Sequence, residues 1–421
     1  MTHQLTTLPT GVTVVTEAMP SVRAVALGMW VAVGSRDEQP ADAGCSHFLE
    51  HLLFKGTSRR SARDIAEALD AVGGELNAFT SKEHTCFYAR VLDRDVPLAF
   101  DVLSDMIVDA RNAAEDVDAE RDVVLSELEI HYDTPDDLVH SDFARAVLAE
   151  HPLALETLGS ESSIHSLDRD RIHDYYLAHY RPEHLVVAAA GNVDHEAIVD
   201  LAHERLGDLG RPGGVRAERT APVTFGERKV NVRYRATEQV HLVLGVPGLS
   251  QRHDDRWALR VLDLVLGGGM SSRLFQTIRE ERGLAYTTYS YASSFSDGGL
   301  FGAYVGTSPA KVDTVAALLR SELDRVGEDL TADEVDRARS SLTGQTVLSL
   351  ENTFSRMARV GHQVVAGDEI VTVDEALAMI GDVDVDAVKD VAQRVLAQPR
   401  VLAVVGPFAP EESERFTGVV Q

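Results

Sequence analysis

The two halves of this sequence carry a weak internal repeat, and no other feature constrains the fold as much. Residues 116–121 (DVDAER) match residues 334–339 (EVDRAR), and the segment 182–191 matches the segment 399–406. Both matches have an offset of about 217 residues, as expected for two copies of one structural unit in tandem. The stretch 207–222 between the copies is rich in Gly, Pro and mixed charge, which is typical of a linker.

We therefore predict two tandem homologous domains, residues 1–210 and 223–421, joined by a linker at 211–222. The length of 421 residues agrees with this division, because globular domains hold about 100–200 residues each. Chance similarity between two segments of mixed helix and strand is the alternative explanation of the repeat.

Each half mixes strands and helices. Residues 22–34 and 230–246 are rich in β-branched residues, which predicts strands. A capping-box pattern at Ser61 is followed by apolar residues at helical spacing up to Gly73, and then by extended chain over 75–92. These patterns predict an α+β fold, in which each domain is a mostly antiparallel sheet with helices packed on one face.

The chain is strongly acidic, with 67 Asp and Glu against 40 Lys and Arg and a formal net charge of −27. Such a surface repels phosphate backbones and attracts cationic peptides, so we expect no nucleic-acid partner. Solubility alone is the alternative role of the charge. There is no run of ~18 apolar residues, so we expect no membrane partner. With only Cys45 and Cys86, and no signal-peptide pattern at the start, we expect a cytoplasmic location.

The segment His47-Phe48-Leu49-Glu50-His51 places two histidines four residues apart. An apolar stripe over 43–54 predicts a helix, in which both imidazoles lie on one face about one turn apart, and this spacing suits a metal ion. Glu50 lies on nearly the same face, close enough to act on a water bound to that metal. Solvated surface side chains are the alternative interpretation of this segment.

Two histidines leave a catalytic zinc one protein ligand short, because such sites usually have three and keep the fourth position for water. Residues 120–128 predict a helix with Glu120 and Glu127 on one face, so either carboxylate is a candidate ligand. A charged helix face that is only solvated is again the alternative.

Four segments together resemble the pitrilysin/insulinase family of zinc peptidases, in particular its mitochondrial processing peptidase-like branch. They are HFLEHLLFKGT at 47–57, LNAFTSKEHTCFYA at 76–89, ERDVVLSELE at 120–129 and GGGMSSRLFQTIREERGLAY at 267–286. HxxEH is the inverted zinc motif. The resemblance covers both halves of the chain, and it implies the processing peptidase-like fold for each.

The resemblance also implies roles for the residues of the first half. It makes His47, His51 and Glu127 the ligands of one Zn²⁺ per chain and Glu50 the general base. It makes Glu120 the carboxylate that orients one of the ligands.

The second half differs at the corresponding positions. Ala338 and Gln345 stand where the repeat places the two glutamates, and residues 265–269 stand in place of HFLEH, so only the first half is expected to hold metal. The resemblance assigns to this half the pair Arg279 and Tyr286, which holds substrate and stabilises the oxyanion. From the residues alone, this segment predicts only a charged helix end that enters a strand.

Two further segments are expected to touch substrate. Asn77, Ala78 and Phe79 look like the family's edge strand, along which an extended peptide adds by main-chain pairing, although Phe79 is equally compatible with a core position. Gly268 and Gly269 match a glycine-rich segment that contacts substrate in the processing enzyme, and their spacing lacks the pattern of a nucleotide site.

The predicted function is a zinc-dependent endopeptidase that hydrolyses peptides or unfolded polypeptide segments. The resemblance implies a homodimer that closes like a clam shell, so that Arg279 and Tyr286 serve the zinc site of the other copy. Three aspartates within 133–137 favour substrates with basic residues near the cleaved bond. The alternatives are a scaffold or binding protein that has lost the activity, and a metal-storage protein, which does not need Glu50.

Overall fold

The computed structural model describes residues 3–207, 219 and 223–421. The chain divides into two compact units of three segments each. The first unit comprises Met1–Leu128, Leu155–Thr220 and Val347–Val373, and the second comprises Glu129–Ala154, Ala221–Thr346 and Asp374–Gln421. The predicted linker 211–222 lies outside the described residues except for Arg219, and the predicted domain limits at 210 and 223 stay a prediction.

Strands and helices are mixed along the described chain. The strands are β1 (His3–Thr7), β2 (Thr13–Ala18), β3 (Ala24–Val31), β4 (Glu75–Thr80), β5 (Thr85–Leu92), β6 (Leu185–Gly191), β7 (Lys229–Tyr234), β8 (Val240–Gly248), β9 (Ala285–Ser294), β10 (Gly299–Thr307) and β11 (Val401–Gly406). The α-helices are α1 (Cys45–Leu53), α2 (Ala62–Asp70), α3 (Val96–Asp109), α4 (Ala114–Asp133), α5 (Pro135–Leu148), α6 (Glu161–Ser166), α7 (Arg169–His179), α8 (His195–Leu206), α9 (Arg256–Leu266), α10 (Val312–Asp329), α11 (Ala332–Ser349), α12 (Thr353–Ala366), α13 (Val373–Gly381), α14 (Val385–Leu396) and α15 (Thr417–Val420).

The first unit is built on a six-stranded sheet with the order β1-β2-β6-β3-β5-β4. Every neighbouring pair is antiparallel except β2 and β6, which run parallel. Strand β6 is buried along its whole length, as expected for a central strand with helices on both faces of the sheet. Strand β4 is the last strand of the order and forms one edge of the sheet.

The two faces of this sheet are covered differently. Helices α1, α3 and α8 pack on one face around a large apolar core that includes Phe48, Phe87 and Phe100. Helix α12 packs along β2, β3 and β6 on the opposite face, where the indole N–H of Trp30 points at Met357 Sδ, 3.4 Å away. At the same face, the buried carboxylate of Glu17 binds two arginines of α12.

The second unit repeats this plan with a five-stranded sheet of order β7-β11-β8-β10-β9, in which only β7 and β11 run parallel. Helices α9, α10 and α14 pack around an apolar core on one face. Helix α5 packs on the other face against β8 and β11, where Asp142 forms an ion pair with Arg233 of β7.

The predicted α+β fold is confirmed, since each unit has a mostly antiparallel sheet with its main helical layer on one face. The helix predicted after Ser61 is confirmed as α2, with the Ser61 hydroxyl accepting the Asp64 N–H at 3.2 Å. The extended chain predicted over 75–92 is confirmed as β4 and β5 with a turn between them. Among the helices of the described residues, none combines the length and the apolar character that crossing a membrane requires.

Candidate metal and catalytic centre

Helix α1 carries the HFLEH segment, and its first turn is fixed by a side chain from outside the helix. Gly44, which precedes the helix, has a φ of +91° and no side chain that caps the helix. Glu38 takes over that role, because its Oε2 accepts the Gly44 N–H at 2.8 Å and its Oε1 accepts the Ser46 N–H at 2.7 Å. Burial raises the pKa of Glu38 to about 7, against the opposing effect of these hydrogen bonds.

Three side chains converge beside this helix. Glu127, on α4, has its Oε2 3.5 Å from His47 Nε2 and 3.4 Å from His51 Nε2. The three candidate ligand atoms all lie within 4.8 Å of one another. The structure thus brings together the three residues for which the resemblance implies metal binding, and Glu127 is the carboxylate that faces both imidazoles.

Glu120 lies behind His51 instead. Its Oε1 is 2.8 Å from His51 Nδ1, and Lys55 Nζ contacts its other oxygen. Burial acts to raise the pKa of Glu120, but the hydrogen bonds from Lys55 and His51 outweigh it and hold this pKa below its ordinary value. An ionised Glu120 accepts the proton of Nδ1, so the lone pair of Nε2 in a neutral His51 faces Glu127.

His47 lies one turn before His51 on the same face of α1, and its side chain is 13% exposed. Burial, and to a smaller extent the charge of His51, lowers the pKa of His47 to about 4. The imidazole is therefore neutral at neutral pH, which is the form that binds metal ions. Its Nε2 faces Glu127, while its buried Nδ1 has no hydrogen-bond partner among the described residues.

Glu50 is held by a strand of the sheet. The hydroxyl of Thr80, at the end of β4, donates to Glu50 Oε2 at 2.6 Å. Burial raises the pKa of Glu50, and the nearby charge of Glu127 adds to the rise, whereas Thr80 and His51 lower this pKa. The hydroxyl and the backbone N–H of Thr80 thus both hold the Glu50 carboxylate, which has further lone pairs for another hydrogen bond.

The converging groups fit a zinc ion. Two imidazole nitrogens and one carboxylate oxygen are a usual donor set of catalytic zinc sites, in which the fourth position stays open. Within the described residues, this is the one group of three or more His, Cys, Asp or Glu side chains arranged closely enough to hold a metal. A buried carboxylate behind one histidine is also the arrangement that such ligands usually have.

The predicted substrate strand lies next to this centre. Residues 77–79 belong to β4, which pairs with β5 and has its other edge free within the described sheet. Asn77 is exposed, and its Oδ1 accepts the Ala78 N–H at 2.8 Å. Phe79 is half-buried, with its ring centroid 5.6 Å from that of Trp30. The strand that holds Glu50 through Thr80 thus also offers an open edge.

The other predicted site residues belong to the second unit. Arg279 and Tyr286 lie together, with the guanidinium carbon 4.4 Å from the ring centroid and Arg279 Nη1 donating to the Tyr286 carbonyl at 3.0 Å. Tyr286 is 76% exposed. The predicted charged helix end is a π-helix, Phe275–Glu280, and such helices are frequent at functional sites. Gly268 and Gly269 are exposed just after α9.

Sequence reasoning missed three residues of the centre: Glu38, Lys55 and Thr80. Lys55 lies one turn beyond His51, so the helical spacing was a usable signal for its contact with Glu120. Glu38 and Thr80 reach α1 from irregular chain and from a strand, and no local pattern links them to it.

Two family models match the chain. The model described as "Insulinase (Peptidase family M16)" matches residues 13–161, and the model described as "Peptidase M16 inactive domain" matches residues 166–342. The chain belongs to peptidase family M16. The converging His47, His51 and Glu127 lie in the part matched by the insulinase model, and Arg279 and Tyr286 lie in the part matched by the inactive-domain model.

Curated relatives named as zinc proteases resemble the chain over nearly its whole length. An uncharacterized zinc protease of Streptomyces coelicolor is 48% identical, over 100% of this chain and 93% of that protein. An uncharacterized zinc protease of Mycobacterium tuberculosis is 44% identical, over 97% of this chain and 94% of that protein. One of Bacillus subtilis is 38% identical, over 95% of this chain and 97% of that protein.

Solved structures share the fold. A peptidase M16 inactive domain from Pseudomonas fluorescens superposes with a TM-score of 0.88 at 18% identity, over 97% of this chain and 98% of that one. A protease from Helicobacter pylori gives a TM-score of 0.88 at 21% identity, over 96% of this chain and 99% of that one. At these identities, the likeness supports the M16 fold and not a particular activity.

Proposed function

We propose that this chain is a zinc-dependent endopeptidase that hydrolyses peptides or unfolded polypeptide segments, with one Zn²⁺ per chain. The observation that carries the proposal is the convergence of the candidate ligand atoms of His47, His51 and Glu127 within 4.8 Å of one another, near the half-buried carboxylate of Glu50. A zinc ion in such a site supplies a water of lowered pKa and polarises the carbonyl to be cleaved.

The chain's own residues account for the proton transfers. Glu50 accepts a proton from the attacking water and returns it to the leaving amine, and its raised pKa makes it a stronger base than an exposed glutamate. Thr80 keeps the carboxylate in one orientation throughout. Glu120 holds the Nδ1 proton of His51 and so fixes the ring orientation.

The free edge of β4 supports binding of an extended peptide. Main-chain pairing along this edge is largely independent of substrate sequence, and it requires a segment that is not already folded. Asn77 is exposed on that edge, beside Ala78 and Phe79. We place Gly268 and Gly269 among the substrate contacts as part of the same proposal.

The proposal includes a homodimer, in which Arg279 and Tyr286 of one copy hold substrate at the zinc site of the other. Tyr286 is exposed and contacts the Arg279 guanidinium. This supports a preformed pair on the surface that can contact a peptide substrate. It also includes a cytoplasmic location, which is supported by Cys45 and Cys86, both buried and without a disulfide.

The decisive test is cleavage of a quenched fluorescent peptide library by the purified protein and by Glu50→Gln. We expect chelator-sensitive turnover that zinc restores, and a loss of about 10²–10⁴-fold in Glu50→Gln with zinc binding unchanged. Glu67→Gln, on the exposed face of α2, is the control and should retain full activity. Bound zinc without cleavage of any peptide would contradict the peptidase and favour the scaffold.

The dimer has its own test. Glu50→Gln and Arg279→Ala are each expected to be inactive alone, because each lacks one component of every site. After the two proteins are mixed and allowed to exchange subunits, half of the dimers are hybrids with one complete site, so about one quarter of the parent activity should return. Absence of recovery despite subunit exchange would contradict sites shared between copies.

A further inference from the structure

The second unit has a cleft at the place where the internal repeat predicts the counterpart of the metal centre. Val265, Gly268, Gly269 and Ala338 line this cleft, together with Leu264, Ser271, Glu334, Arg337 and Ser341. At the repeat offset, the first four stand for His47, Glu50, His51 and Glu120. The second unit therefore has a concave surface at the position that corresponds to the metal centre of the first unit. Those four residues are not metal ligands.

One wall of the cleft is a single face of helix α11. Glu334, Arg337, Ala338 and Ser341 follow one another at helical spacing, so their side chains project in nearly the same direction. The opposite wall is the end of α9 and the glycine segment after it. An added Cβ at Gly269 would have no heavy atom within 4 Å, so the backbone there is open to a ligand.

Glu334, the acidic residue in the wall of the cleft, already forms an ion pair with Arg273. Both oxygens of Glu334 accept hydrogen bonds from Arg273, at 2.6 and 2.8 Å, and Oε2 also accepts the N–H and hydroxyl of Thr331. The carboxylate of Glu334 therefore has little capacity left to bind a cation in the cleft.

Arg337, unlike Glu334, has no partner for its charge among the described residues. Arg337 is exposed and lines the cleft, and its guanidinium has no hydrogen-bond or ion-pair partner in the part that the structure describes, in a chain with 67 acidic and 40 basic residues. Ser341 stands one turn further along the same face, and because its hydroxyl oxygen accepts Gln345 Nε2 at 3.0 Å, its proton is free to be donated. The open groups of the cleft are thus hydrogen-bond donors with one net positive charge.

We propose that this cleft binds a carboxylate of the peptide substrate, with Arg337 as the charged partner and Ser341 as a further donor. This inference rests on the proposed peptidase function and adds a preference to it. Planar guanidinium groups match carboxylates with two parallel hydrogen bonds, which selects for this ligand over a neutral amide. The carboxylate comes either from the C-terminus of the substrate or from an internal Asp or Glu side chain.

The test measures binding instead of turnover, in the zinc-loaded Glu50→Gln protein. Fluorescence anisotropy compares four labelled peptides of one sequence: C-terminal acid or amide, each with an internal Glu or Gln. We expect Arg337→Gln to weaken binding of the preferred carboxylate peptide by about 5-fold to 10-fold and to leave the amide peptide with Gln unchanged. If the peptides with a C-terminal acid lose affinity, the carboxylate comes from the C-terminus of the substrate. If the peptides with an internal Glu lose affinity, it comes from that side chain.

Two further variants separate this role from a general effect of charge. Arg337→Lys keeps the charge without the planar fork and should recover only part of the lost affinity. Lys229→Gln removes the same charge from an exposed position outside the cleft and should change nothing. Three results would each overturn the inference. Arg337→Gln could weaken binding of all four peptides equally, Lys229→Gln could weaken binding as much as Arg337→Gln, or Arg337→Gln could leave binding unchanged. Because no turnover is needed, failure of the peptidase assay would be seen separately.

Discussion

Replacing Glu38 by Ala tests how helix α1 is held in place. The change removes both oxygens that accept the N–H groups of Gly44 and Ser46, and it leaves these two donors without a partner in a buried place. Each such donor costs about 1–3 kcal/mol, so the loss of hydrogen bonds alone destabilises the first unit by about 2–6 kcal/mol.

Burial of the ionised Glu38 carboxylate destabilises the folded state, so its removal offsets part of the cost of Glu38→Ala. The size of this offset depends on pH. Because the folded-state pKa of Glu38 is raised from 4.5 to about 7, its contribution to stability is full below 4.5 and is lost as the pH rises through about 7. Integrated between these pKa values, the contribution is about 2 kcal/mol larger at pH 5.5 than at pH 8. Glu38→Ala should therefore cost about 2 kcal/mol more at pH 5.5 than at pH 8.

Urea unfolding with chelator present measures this difference without linkage to zinc. In a Trp257→Phe background, Trp30 is the remaining tryptophan, and it lies in the sheet of the same unit as α1. Glu67→Ala, which removes an exposed carboxylate from α2, is the control and should show no such pH dependence. A cost of Glu38→Ala that is constant or grows with rising pH would refute the reasoning.

Three further variants test metal binding and packing. Glu120→Ala should weaken zinc binding about 10–100-fold, measured by competition with a chromophoric chelator, because His51 loses the acceptor of its Nδ1 proton; unchanged affinity would contradict this role. Gly361→Ala in α12 should destabilise the first unit by about 1–3 kcal/mol, since an added Cβ would lie 2.3 Å from Trp30 Nε1. Gly344→Ala in α11, with open space around the Cβ, should stabilise the protein by up to about 1 kcal/mol. Thermal unfolding that shows the same sign for both glycine variants would refute the packing argument.

The local elements could be predicted because their signals are local. The spacing of His47 and His51 and the apolar residues around them indicate a helix with both imidazoles on one face, and α1 has that form. The residues alone left Glu120 and Glu127 equivalent as ligands. The packing of α4 distinguishes them, because it sets Glu127 against both Nε2 atoms and Glu120 against Nδ1 of His51.

The exchange of helices between the two sheets had no local signal. Met357 and Val360 give α12 an apolar face, which indicates that the helix is buried but not which sheet it covers. The same holds for α5, which comes from the first half of the sequence and packs on the second sheet. Which sheet a helix packs on depends on tertiary packing, and a repeat in the sequence does not indicate it.

This exchange has a consequence for the order of events during synthesis. Domains generally fold as units while the chain emerges from the ribosome, the N-terminal one first. Here the unit that carries HFLEH receives its last helix only when residue 366 of 421 has been made. Until then, the sheet face around Val15, Ala26 and Trp30 lacks the helix that packs on it in the folded structure. The half of the chain that carries HFLEH is therefore expected to emerge with an apolar face exposed, and nascent chains that stop before α12 should be the ones that chaperones retain.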